Sequence, residues 1–159
     1  MSDQSVPRRL QAPWLPSAVE QALIVVWLGS LWTVGYLVAP VLFATIPDRA
    51  LAGLVAGRLF GLVAWIGLGC GVLSLGFALR GWRRGASFAV PLIIAGMLLL
   101  GVIGEFGLQA AMAALKADGA SGSPAFARLH GIAASLYLVE SVLGVLWLGL
   151  RARGLRPAA

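Results

Sequence analysis

Cysteine and histidine occur once each, as Cys70 and His130, in a chain of 159 residues. A lone cysteine excludes a disulfide within the chain and a Cys-based zinc cluster, and it leaves the redox compartment unread. The lone histidine excludes the His-Glu-x-x-His zinc motif, and no Gly-x-Ser-x-Gly elbow is present to support hydrolysis. Charge is scarce as well: 12 basic and 6 acidic residues make up 11% of the chain. The basic residues stand at the edges of apolar runs and form no face interleaved with aromatics. That pattern disfavours nucleic acid as a partner and suits a role in setting membrane topology.

What the chain does have is apolar length. With 60% hydrophobic residues and a mean hydropathy of +0.92, it is far more apolar than a soluble domain of this size. Four runs, about 21–46, 51–79, 88–115 and 126–150, each reach the roughly 20 residues needed to cross a bilayer. The first is too long for a signal-peptide core and lacks a small-residue cleavage site, so it reads as an uncleaved span. The expectation is an all-α integral membrane fold, an antiparallel four-transmembrane-helix bundle over residues 21–150 with short connections. A polar, proline-punctuated N-terminal tail (1–20) and a basic C-terminal tail (151–159) flank it.

Orientation follows from the positive charges. Arg8, Arg9, Arg80, Arg83, Arg84, Arg151, Arg153 and Arg156 fall on one side, against Arg49, Arg58, Lys116 and Arg128 on the other, which predicts both termini in the cytoplasm. Trp82 and Trp147 are then expected at the cytoplasmic interface. Gly53, Gly57 and Gly61 recur at every fourth position of the second run. Such a stripe serves either a homo-oligomer or membrane-protein partner, or packing inside the bundle, and a four-helix protein needs the second in any case.

Ionisable groups inside a span ask for a partner or a use. At about 1.5 Å per residue, Glu105, His130 and Arg58 lie about 25, 30 and 33 Å from the cytoplasmic ends of their helices, at one level near the outer face. Glu105, Gln109 and Met112 share one stripe of the third helix, while Arg58, Gly61 and Trp65 share one of the second. In the first helix, Gly29, Thr33, Tyr36, Pro40 and Phe43 form a face on which Pro40 deprives the Tyr36 carbonyl of its usual donor. These spacings predict a polar ligand pocket lined by Tyr36, Pro40, Arg58, Glu105, Gln109 and His130.

Plainer roles stand beside each. Arg58 and Arg128 can reach lipid headgroups, Glu105 and Arg58 can form a structural ion pair, and His130 can cap its helix. Glu140 falls deeper, near Ser30 and Thr33, and is expected to be protonated or hydrogen-bonded to those hydroxyls, as a structural carboxyl or a proton relay. Cys70 and Met97 read as packing residues.

Trp32-Thr-Val-Gly35, Ala39-Pro-Val-Leu-Phe43, Gly57-Arg-Leu-Phe60 and Phe126-Ala-Arg-Leu-His-Gly131 follow one another in this order. In that order the chain resembles the transmembrane protein 205-like family of uncharacterised four-helix membrane proteins over about residues 20–150. More distantly, it is similar to copper-resistance-D-like and HemJ-type membrane proteins. The resemblance implies a multi-pass protein of the bacterial inner (cytoplasmic) membrane, with copper or haem as candidate ligands. Two positions depart from the pattern: Ala133 stands where relatives commonly carry serine, and Tyr137 where asparagine is often found.

The leading expectation is a non-enzymatic membrane protein that binds or helps transport a small ligand, with a metal ion such as copper held by His130, Met112 and Glu105. A haem-binding membrane oxidoreductase with His130 as axial ligand is the enzymatic alternative. A structural or accessory membrane subunit is the third.

Overall fold

The computed structural model describes residues 14–154, so residues 1–13 with Arg8 and Arg9, and 155–159 with Arg156, lie outside the described residues. It is helical, with no strand among the described residues. Four helices are long and apolar enough to cross a membrane: α1 (Ala18–Thr45), α2 (Arg49–Arg83), α3 (Ala89–Ala117) and α4 (Pro124–Ala152). This marks a multi-pass membrane protein. The helical turns of α1 begin upstream, at Trp14, and those of α4 run on to Gly154.

The ends of the helices follow from local chemistry. Asp48 caps α2, its carboxylate accepting from the amides of Ala50 (2.8 Å) and Leu51 (3.2 Å), the donors a first turn leaves unpaired. Gly85 and Gly119 adopt φ of 96° and 71°, the left-handed conformation that lets the chain turn out of α2 and α3. The Lys116 ammonium donates to the Gly53 carbonyl at 3.3 Å, so the loops after α1 and α3 sit at one end of the molecule. At the other end Arg151 forms an ion pair with Glu20, the only salt bridge among the described residues.

The helices pack as a ring, α1 on α2, α2 on α3, α3 on α4 and α4 on α1, and among the described residues the backbones of the two diagonal pairs stay apart, so that only side chains such as Phe60 and Tyr137 reach across. A ring whose diagonal backbones stay apart leaves a hollow along its axis. Toward the Arg151 end that hollow is filled by Ile24, Trp27 and Leu28 of α1, Ile94 and Met97 of α3, and Trp147 of α4. Trp27 and Trp147 meet edge to face, centroids 5.9 Å apart. Trp147 is therefore a core residue, 1% exposed, and not the interface anchor its position near the chain end suggested. The reason is register: α4 continues beyond it, and its face at 147 points into the ring. Cys70 and Met97 pack in or against this core as expected.

α2 presents small residues to the ring: Ala52, Ala56, Gly67, Gly71 and Ser74, with Val63, are its buried positions. The lipid tails outside are as apolar as leucine, so helix association in a membrane depends on close backbone approach. Gly67 and Gly71 provide it. A β-carbon on Gly67 would lie 2.6 Å from the indole nitrogen of Trp27, and one on Gly71 2.8 Å from the same ring system. Gly53, Gly57 and Gly61 are half-buried one position along from the buried line and face Phe43, Lys116 and Glu105 of the same chain. Large apolar side chains turn outward instead, among them Val25, Val72, Leu92 and Leu99.

Candidate functional site

Above the core the hollow stays open as a cavity of about 590 Å³, within the size range of small-molecule sites. All four helices line it, each with one face. α4 contributes His130, Ala133, Ala134, Tyr137 and Glu140, which stand at three- and four-residue spacing on one side of a helix. α3 contributes Met97, Gly101, Gly104, Glu105, Gln109 and Met112.

Two interruptions of regular helix border this cavity. Residues Thr33–Val38 of α1 and Ile103–Gln109 of α3 form π-helical turns, wider than the α-helix around them. Such turns are frequent at functional sites because they re-aim side chains at the cost of regular hydrogen bonding. In α1 two causes coincide. Pro40 follows directly and has no amide to donate to the Tyr36 carbonyl. From the neighbouring helix α4 the Tyr137 hydroxyl donates to the Leu31 carbonyl and lies against Gly35. Leu31 and Gly35 are an i, i+4 pair, so the Tyr137 hydroxyl enters the ladder at the turn they span, and a side chain inserted there is a known origin of local irregularity. Glycine at 35 is required there, because any β-carbon would run into the Tyr137 ring. In α3 the wide turn holds Gly104 and Gly107 and brings Gly101, Glu105 and Gln109, four residues apart, onto the same wall.

Five of the six expected pocket residues, Tyr36, Pro40, Glu105, Gln109 and His130, line this one cavity, as does Met112. Arg58 does not. It is exposed, one position from Gly57, and shares its side of α2 with Leu62 and Trp65, 58% and 61% exposed. The expected convergence of three ionisable groups is thus corrected to two, and the Arg58–Glu105 ion pair is not formed. Height along the helix was right for Arg58, but its angle was not. Glu105 occupies the space that Gly61 leaves free: a β-carbon there would sit 3.2 Å from Glu105 Oε1.

Glu140, expected to stand apart, lines the same cavity at its deep end and is 8% exposed. Its expected partners do not serve it. Ser30 donates to the Trp27 carbonyl of its own helix at 2.9 Å, and Thr33 is exposed because the wide turn shifts the face read at regular spacing. The Trp27 indole lines the same cavity as the Glu140 carboxyl. His130 is exposed at the rim and stacks on Phe126, centroids 6.3 Å apart and planes 6° from parallel. The Lys116 ammonium lies over the same Phe126 ring, 5.7 Å from its centroid.

Sequence reasoning missed Tyr137, Phe60 and Trp27 as wall residues. Tyr137 meets Tyr36 and Phe60 edge to face at 5.9 and 5.5 Å, and Tyr36 in turn donates to Ser141 Oγ at 2.9 Å. A signal existed for Tyr137, seven residues beyond His130 on the same stripe. None exists for Phe60, an apolar residue in an apolar run, which lines the cavity while Arg58, two positions before it, is exposed.

Residues 22–121, spanning α1 to α3, match a family described as a domain of unknown function, DUF4149. The chain belongs to the DUF4149 family. No curated protein and no solved structure matches it. The matched stretch ends before α4, so the DUF4149 segment carries three walls of the cavity, with Glu105 and both wide turns, and α4 supplies the fourth with His130, Tyr137 and Glu140.

Replacing Tyr137 by phenylalanine removes the hydroxyl that bridges α4 to α1. The expected loss is about 1 kcal/mol of unfolding free energy, typical of one buried hydrogen bond. Unfolding in mixed detergent micelles checks it, with Tyr36→Phe, whose ring is 51% exposed, losing less.

Proposed function

We propose that this protein binds a small ligand inside the bilayer, in the cavity between its four helices, and holds or passes it there. The observation that carries this function is the convergence of both π-helical turns on one hollow whose walls bear the only carboxyls placed well inside α3 and α4, Glu105 and Glu140. Irregular helix and carboxyls placed within a span both cost stability in a membrane, and here both border the same space.

A metal ion suits the walls less well. His130, Met112 and Glu105 share the cavity, but no three His, Cys, Asp or Glu groups gather to hold an ion among the described residues. A haem fits no better, since one rim imidazole is the only such ligand in the chain. The resemblance to the transmembrane protein 205-like family supports a four-helix membrane protein and leaves the ligand open. The excess of arginine at the termini and after α2 supports cytoplasmic termini, which would put His130 and Gln109 toward the outside of a bacterial inner membrane.

Native mass spectrometry and elemental analysis on the same untagged sample test the function. The expected result is one organic adduct per chain and no stoichiometric metal. Stoichiometric copper that disappears in His130→Ala, or a Soret band, would overturn it in favour of a metal or haem protein.

A further inference from the structure

We infer that the ligand class is the lipophilic organic cation, its positive centre set between Glu105 and Glu140 and its apolar body against Trp27, Phe60 and Tyr137; this rests on the ligand-binding function proposed above. The charge inventory of the walls leads there. Two carboxyls face one hollow. Glu140 Oε1 lies 4.0 Å from the β-carbon position of Gly101, which stands one helical turn before Glu105 on α3. Glu140 is more than nine-tenths buried.

No lysine or arginine among the described residues lines the cavity. Those nearby are engaged or turned away. Lys116 donates to the Gly53 carbonyl, Arg151 pairs with Glu20, and Arg58 points outward. His130 is the one basic wall residue, and it sits at the rim, ten residues from Glu140, or about 15 Å along α4. A carboxylate buried in a span needs a partner. Here the positive charge has to arrive from outside the chain, as a proton or as a ligand.

Shape and chemistry then favour an organic cation over an inorganic one. A small metal ion demands a tight shell of oxygen, nitrogen or sulfur donors. These walls offer two carboxyls in a space of about 590 Å³, otherwise built of aliphatic and aromatic side chains. Aromatic faces attract cations and also accept apolar groups, and the rings of Tyr36, Tyr137 and Phe60 stand edge to face, so they turn their faces in different directions around the cavity. An anionic ligand would meet two carboxyls. A neutral one would leave them without a use.

Calorimetric titration of the full chain in non-ionic detergent, with tetraphenylphosphonium and with uncharged triphenylphosphine oxide, tests the class. The expected result is one tetraphenylphosphonium per chain, bound at least tenfold tighter than the neutral probe. Glu140→Gln should weaken the cation at least tenfold and Glu105→Gln at least threefold, with the neutral probe unmoved. Equal affinity for the two probes, tighter binding of the neutral one, or an unchanged cation affinity in the double Gln variant overturns the cation class and leaves ligand binding standing. Binding of neither probe overturns the cation class, and an absence of any adduct on the native protein as well removes the ligand-binding function itself. The comparison of probes uses the unaltered protein, so a variant that fails to fold does not block the outcome.

Discussion

Glu140→Leu is expected to make the protein harder to unfold, by about 1–3 kcal/mol, while abolishing its capacity for a cation. The carboxyl sits 8% exposed in a largely apolar surround, with no lysine or arginine among the described residues lining its cavity. Leucine has a similar bulk and no desolvation cost. Gains of this kind accompany loss of function where a site stores an unfavourable group for a ligand. Unfolding in dodecyl maltoside and SDS mixtures, followed by tryptophan fluorescence, measures it. A loss of stability instead would mark Glu140 as a structural carboxyl.

The second large effect is steric. Gly67→Leu and Gly71→Leu should each cost about 2–3 kcal/mol, the upper range for overpacking a filled core. At Gly67 a β-carbon would meet Trp27 at 2.6 Å, and at Gly71 it would meet Leu98 at 2.5 Å and Trp27 at 2.8 Å. Trp27 stands between α2 and Trp147, so its ring can yield only toward the cavity it lines, at the cost of its packing on Trp147. Gly69, between them in sequence, has no atom within 4 Å of its β-carbon position, and Gly69→Leu should be nearly neutral. The same unfolding assay separates the three. Equal tolerance at 67, 69 and 71 would mean that α1 and α2 do not pack through Trp27.

Much of this architecture is legible in one dimension because lipid imposes a coarse code. Run length set the four helices, and the structure ends them at Thr45, Arg83, Ala117 and Ala152, within a few residues of the apolar limits. Depth was also legible: Glu105, Gln109 and His130 reach one cavity from two helices because rise per residue is nearly constant. Angle was not. Arg58 is at the right height and faces away, and Thr33 leaves the face that regular spacing assigns it, because the π-helical turn of α1 changes the rotation per residue. That turn depends on Tyr137, more than a hundred positions away in the chain, reaching the Leu31 carbonyl. Trp147 was misplaced for a related reason: nearness to the end of a run says nothing about which side of the helix it occupies. Glu140 was assigned to Ser30 and Thr33 by level alone, and both hydroxyls prove to point elsewhere.

Tyr137 builds the wall that meets Gly35, Tyr36 and Phe60, and Ala133 lines the cavity without adding a polar group. Both residues keep the hollow apolar, in keeping with the proposed ligand and its hydrophobic body.

The most direct test is to fill the hollow and ask whether binding goes with it. Gly104 lines the cavity and has no atom within 4 Å of its β-carbon position, so Gly104→Phe can place a ring there without displacing a neighbour. Native mass spectrometry of the untagged protein with tetraphenylphosphonium should show one adduct per chain in the unaltered protein and none in Gly104→Phe, with equal thermal stability in the two. An adduct of undiminished occupancy in the filled variant would contradict the account, because the ligand would then sit somewhere other than between the four helices.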